Sequence, residues 1–120
     1  MMKKYNYESL EIYNLSRKLV MKVYKLTEEF PKSEIFGLIP QVRRAAVSII
    51  LNIVEGSSRL SKKEFAIFIE RSIGSLLEVR TAIQIAQDLG LIQSRNTEDM
   101  SNEIDELYFK MQSFKKYLRK

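Results

Sequence analysis

The sequence contains no cysteine, no histidine and no tryptophan, and only four glycines and two prolines in 120 residues. Without cysteine or histidine, a chain has no disulfide, no thiolate nucleophile, no imidazole base and no zinc site of the usual ligand types. Its glutamates cannot complete the di-metal centre of ferritin-like bundles, because that motif requires histidine. We therefore predict a protein that is not an enzyme and carries neither a metal nor a cofactor.

Long apolar runs are also missing. No stretch approaches the roughly 18 apolar residues that would span a bilayer, and no apolar segment follows Lys3 and Lys4 to form a leader peptide. The lack of cysteine agrees with a reducing compartment. These features predict a cytoplasmic protein without membrane contact.

The composition is that of a folded, basic protein. With 45% apolar residues the chain can bury a core, so we expect one domain over residues 1–120. Twenty lysines and arginines against fifteen acids give a formal net charge of +5. This balance favours acidic partners, nucleic acid among them.

Apolar residues recur at spacings of three and four along four segments, which is typical of helices. The segments run from about Ser9 to Phe30, from Pro40 to Glu55, from Phe65 to Gly90 and from Met100 to Leu118. The connections between them are too short for a crossover. The sequence therefore predicts an all-α, up-down-up-down antiparallel four-helix bundle.

Residues that cap or stop helices mark the boundaries. Pro31 ends the first helix, and Gly56-Ser57-Ser58 reads as a C-cap followed by a loop. Ser61 and Glu64 form a capping box before the third helix. We expect the fourth helix to be capped by Ser94, Asn96 or Thr97.

The second helix is apolar over an arc of about 240° on a helical wheel. A peripheral helix of a monomeric bundle needs much less, so we expect part of this surface to meet another copy of the chain. The alternative is that the second helix packs unusually deeply inside the monomer.

Polar residues on the second and third helices form two facing rows. Arg43 lies inside the apolar arc and must find a carboxylate or carbonyls; Glu78 is the candidate partner. One interpretation is a polar network or subunit interface, and the other is a ligand site. The residues of this set are Arg43, Ser48, Asn52, Glu55, Ser75 and Glu78.

Basic side chains collect at the end of the fourth helix, after an acidic first half. This order suits the helix dipole, and a solvated helix end explains it without a ligand. The alternative is a surface that binds the phosphates of nucleic acid, with the exposed Arg44 as a further candidate. The candidate nucleic-acid residues are Arg44, Lys110, Lys115, Lys116, Arg119 and Lys120.

The run Arg-Arg-Ala-Ala-x-Ser-Ile-x-x-Asn-Ile-x-Glu-Gly at residues 43–56, with Phe30-Pro31 and Gly74-Ser75-x-x-Glu78, points to a known family. It resembles the small bacterial four-helix-bundle proteins encoded in intervening sequences of 23S ribosomal RNA genes. The resemblance implies a closed ring, a pentamer, because a related accessory protein of diversity-generating retroelements is a barrel-shaped pentamer. That relative binds nucleic acid and its reverse transcriptase.

Two functions follow as hypotheses. The first is a non-catalytic homo-oligomer that binds structured RNA or DNA through phosphate contacts, in which case binding should weaken steeply with salt. The second is an oligomeric scaffold that docks a protein partner and has no nucleic-acid role.

Overall fold

A computed structural model describes residues 2–93, 95 and 97–120 of the chain. Short 3-10 turns at Asn6–Ser9 and Lys32–Glu34 precede the first two helices. Within the described residues there is no strand, and no helix is long and apolar enough to cross a membrane. The α-helices are α1 (Glu11–Thr27), α2 (Leu38–Ser57), α3 (Lys62–Asp88) and α4 (Glu98–Leu118).

Neighbouring helices run antiparallel. Ion pairs join Glu11 to Lys110 and Lys22 to Glu103, so the start of α1 meets the second half of α4 and the end of α1 meets its first half. The chain is therefore the predicted up-down-up-down bundle. The other neighbouring helix pairs also run in opposite directions. This is shown by contacts of Thr27 with Arg43, Ser48 with Ser75, Gly56 with Phe65, Glu70 with Lys115 and Gln87 with Thr97.

The core lies along the bundle axis and is built from the predicted stripes. Each fully buried leucine or isoleucine contributes about 1.5–3 kcal/mol relative to an exposed one. Leu15, Phe65 and Phe114 are only partly buried, because they lie at the edges of their stripes. The largest fully buried apolar side chains include Leu19, Ile49, Ile53, Ile69, Leu76, Leu107 and Met111.

The second helix is longer at both ends than its sequence pattern indicates. It begins at Leu38, whose backbone N–H donates to the Glu34 carboxylate at 3.0 Å. Pro40 lies in the first turn, where the missing N–H costs nothing. At the other end the predicted C-cap at Gly56 is wrong, since the helix continues through Gly56 to Ser57.

Both ends of α3 follow from their caps. The Ser61 hydroxyl accepts from the Glu64 backbone N–H at 3.1 Å, which confirms the predicted N-cap of α3. Gly90, with φ +72°, ends α3, and Leu91 N–H bonds back to the Ala86 carbonyl at 2.9 Å. This is the Schellman arrangement. Thr97 precedes α4, whereas Ser94 and Asn96 lie outside the described residues.

Candidate nucleic-acid interface

The polar rows of α2 and α3 meet in one hydrogen-bonded group. The Ser48 and Ser75 hydroxyls are 2.9 Å apart, and the Asn52 amide donates to the Ser48 hydroxyl at 3.1 Å. Close by, the buried Ser72 hydroxyl donates to the Ile49 backbone carbonyl across the helix pair. These bonds join the helices to each other without requiring a ligand.

Two acidic residues predicted for this set lie elsewhere. Glu55 pairs with Arg59 at 2.7 Å, one turn further along the chain. Glu78 is exposed at the rim of a groove between α2 and α3. The described contacts therefore place neither carboxylate in the serine–asparagine group.

Arg43 turns toward α1, so the predicted pairing with Glu78 is wrong. Its Nε donates to the Thr27 hydroxyl at 2.8 Å, and a terminal nitrogen donates to the Tyr24 carbonyl at 3.3 Å. The guanidinium carbon also lies 4.5 Å from the centre of the Tyr24 ring, a cation–π contact. A hydroxyl, a carbonyl and an aromatic face therefore take the place of Glu78, and the carbonyl is one of the two kinds of partner expected for Arg43.

Arg44 is exposed and has no ion pair with the described part of the chain. It lies near the start of α2, whereas the basic tail of α4 lies beside the α2–α3 connection. The thirteen helical steps from residue 44 to residue 57 correspond to about 20 Å. The candidate nucleic-acid residues therefore separate into two places at opposite ends of the bundle.

The cations of α4 differ in how far they are neutralised. Lys110 lies between the carboxylates of Glu11 and Glu106, to which it forms ion pairs. Lys115 and Arg119 share Glu70, at 3.8 and 3.7 Å. In the described structure Lys116 and Lys120 have no carboxylate partner, so they are the most available of the predicted cations on α4.

The α2–α3 connection and the first turn of α3 add cations that sequence reasoning missed. Lys62 Nζ, at the start of α3, lies 5.0 Å from the centre of the Tyr117 ring on α4, which brings this segment and the tail together. The charges of this segment and of the α4 tail can be counted in the sequence. However, more than fifty positions separate the two along the chain, and only the antiparallel packing makes them neighbours. We call this surface the basic end; it comprises Arg59, Lys62, Lys63, Lys115, Lys116, Arg119 and Lys120.

Aromatic rings accompany these cations. The guanidinium carbons of Arg59 and Arg71 each lie 4.7 Å from the centre of the Phe68 ring. Tyr117 is 54% exposed and stacks on Phe114 at a centroid distance of 6.1 Å. The basic end therefore combines charge with aromatic rings that already contact its cations, which the sequence pattern did not indicate.

Two apolar surfaces remain uncovered on α2 and α3. The α2 strip consists of Val47, Leu51 and Val54, of which Leu51 is 59% exposed. The α2–α3 groove has a volume of about 340 Å³, and at Gly74 on its floor no described atom lies within 4 Å of the point that a β-carbon would occupy. The wide apolar arc of α2 is thus only partly used inside the bundle.

Neither the carboxylates nor Tyr7 form a further candidate site in the described part of the chain. Among the described residues, no three or more carboxylates gather into a group that could hold a metal ion. Desolvation, followed by the charge of neighbouring Glu8, raises the pKa of Tyr7 above its ordinary value of 10.0. Tyr7 packs edge-on against Tyr13, with centroids 5.1 Å apart, and it contributes to the packing of the 3-10 turn on α1.

Most of the chain matches a protein-family model. Residues 8–113 match the family model described as 23S rRNA-intervening sequence protein. The match includes all four helices except the last five residues of α4. No curated protein matches the chain.

Proposed function

The chain belongs to the 23S rRNA-intervening sequence protein family, and we propose that it is a non-catalytic homo-oligomer that binds structured nucleic acid through its basic end. The observation that carries this proposal is the meeting of two cationic segments at one end of the bundle. Within the described residues, the lysines there without a carboxylate partner are Lys62, Lys63, Lys116 and Lys120.

The chemistry of this surface suits phosphate recognition. Unpaired lysines attract phosphates at long range, and each contact releases counterions from the nucleic acid. Arg59 and Arg119 are held by Glu55 and Glu70, which fixes their position at the surface. Backbone contacts of this kind position a protein on a folded nucleic acid without reading its sequence.

Self-association is part of the proposal and is supported by the two uncovered apolar surfaces. A glycine inside a helix costs about 0.5–1 kcal/mol relative to alanine, yet nothing in the described structure approaches Gly74 closely. A side chain from another copy would fill the space above it. The strip and the groove are different surfaces, so their contact would be head-to-tail and could close a ring. The family resemblance implies five copies.

The first test is fluorescence anisotropy of a labelled RNA hairpin and a labelled DNA duplex at low and near-physiological salt. We expect binding whose logarithm falls linearly with the logarithm of salt concentration. The variant with Lys62, Lys63, Lys116 and Lys120 changed to alanine should lose most of this binding and show a shallower salt slope.

A matched control removes the same charge elsewhere. Changing Lys18, Lys25, Arg80 and Arg95 to alanine also takes four positive charges from +5 and leaves +1. These residues are exposed and lie outside the basic end, so this variant should bind nearly as wild type does. Equal losses of nucleic-acid affinity in the two variants would show that net charge alone explains the binding. No binding even at low salt would favour a scaffold for a protein partner.

A further inference from the structure

A second cationic site lies at the end of the bundle opposite the basic end. The end of α1, the α1–α2 connection and the start of α2 enclose an open cavity of about 610 Å³. Its polar lining includes Arg43, Arg44 and Lys32, with Glu28 as the acidic side chain. At neutral pH these groups leave a positive excess, so the cavity favours an anion.

Arg43 is the fixed element of this cavity. Its Nε donates to the Thr27 hydroxyl, and one of its terminal nitrogens donates to the Tyr24 carbonyl. Its guanidinium also lies over the Tyr24 ring. Thr27 is itself buried and donates to the same Tyr24 carbonyl at 3.0 Å. A guanidinium carries five N–H donors, and those not used by Thr27 and Tyr24 have no acceptor in the described part of the chain.

A guanidinium that is oriented in advance and still has free donors is well suited to bind an oxyanion. Its planar fork matches phosphate oxygens, and the bonds are charge-assisted. Arg44, the next residue on α2, and Lys32, on the connection, are both exposed and have no described ion pair. These two cations can therefore move to a bound anion without losing an existing contact.

The rest of the cavity wall is apolar. Phe30, Ile39 and Pro40 line it together with the exposed Ile35. These side chains have no polar group that could hydrogen-bond to a second charged group of the ligand. They can instead pack against a flat or apolar group to which the anion is attached. A nucleotide combines these two properties, with a phosphate for the cations and a base for the apolar wall.

We propose that this cavity binds the phosphate of a nucleotide, with Arg43 as the oriented donor and Arg44 and Lys32 as the mobile cations. The nucleotide is either a free small molecule or an unpaired residue of a nucleic acid. The proposal does not depend on the basic end, because the residues of the two sites do not overlap.

Isothermal titration of the full chain with AMP, pyrophosphate and adenosine is the first arm of the test. We expect AMP to bind at least about tenfold more tightly than adenosine, because charge-assisted bonds to the phosphate are missing in the latter. The Lys32→Ala/Arg44→Ala variant should weaken AMP binding about tenfold or more, while Lys18→Ala/Arg80→Ala, with the same charge change, should not. Both variants alter exposed side chains, and circular dichroism melting checks that they fold.

Anisotropy with a labelled RNA hairpin is the second arm, and it separates the two sources of the nucleotide. AMP binding that falls in Lys32→Ala/Arg44→Ala with unchanged hairpin binding identifies a small-molecule site. Hairpin binding that falls in this variant, without AMP binding by wild type, identifies an unpaired nucleotide of the RNA. If neither ligand responds to the variant, the proposal is overturned. The alanine variant of the basic end should keep AMP binding, so this proposal and the preceding one can fail separately.

Discussion

Gly56 approaches Phe68 so closely that a β-carbon on Gly56 would lie 2.7 Å from the Phe68 Cβ and 2.8 Å from Cδ1 of Phe65. Gly56→Ala therefore forces α2 and α3 apart or displaces both rings. We expect the free energy of unfolding to fall by about 1–3 kcal/mol, the usual effect of overpacking. Urea denaturation followed by circular dichroism measures this change.

Gly74→Ala is the matched control for that substitution. It adds the same methyl group to a helix, at a position where no described atom lies within 4 Å of it. Because alanine favours the helix, we expect the free energy of unfolding of the dilute, monomeric chain to rise by about 0.5–1 kcal/mol. In the oligomer the methyl group should weaken the proposed contact of another copy at this position, so an unchanged mass in light scattering would contradict that contact.

Arg43 and Arg44 should behave differently although they are adjacent. Arg43→Ala removes the bonds to Thr27 and Tyr24, and we expect it to lower the free energy of unfolding by about 1–2 kcal/mol and to disturb assembly. Arg44→Ala changes an exposed side chain and should stay within about 0.5 kcal/mol of wild type, with the oligomer intact. Thermal melts and light scattering compare them, and the reverse order would contradict this division.

The Ser72 hydroxyl joins α3 to α2 through the Ile49 carbonyl. Ser72→Ala should lower the free energy of unfolding by about 0.5–1.5 kcal/mol, because a buried hydrogen bond is lost. Ser113→Ala on the exposed face of α4 is the control and should leave the free energy of unfolding unchanged or raise it by up to about 0.5 kcal/mol, because alanine favours the helix. Equal behaviour of the two variants would mean that the bond between the helices adds nothing to stability.

The proposed self-association predicts that a charge on the α2 strip breaks the oligomer. Leu51→Glu should shift the mass measured by light scattering toward the monomer of 14.1 kDa, since a buried unpaired carboxylate is costly. Phe109→Glu is the control, because Phe109 on α4 is 68% exposed and belongs to neither apolar surface. An unchanged mass for Leu51→Glu would place the interface elsewhere.

Local pattern predicted most of the fold. The apolar spacing identified all four helices, three of them by stripes that begin at Ile12, Phe65 and Met100, and Ser61 identified the start of α3 correctly. The sequence pattern predicted wrongly that α2 ends at Gly56, since glycine after an apolar run is typical of a helix end. At position 56 a glycine is required because α2 and α3 approach each other closely there. That close approach arises only when the two helices pack together.

The candidate sites were less predictable, for a related reason. The sequence determined that Arg43 lies in an apolar arc and needs a partner, but the rotation of α2 about its axis decided that the partner is α1. It also determined the basic character of the α4 tail. Only the antiparallel packing placed Lys62 beside Tyr117 and Arg44 at the opposite end. Helical periodicity depends on neighbours three or four residues apart, whereas a surface depends on how whole helices pack, which local sequence does not encode.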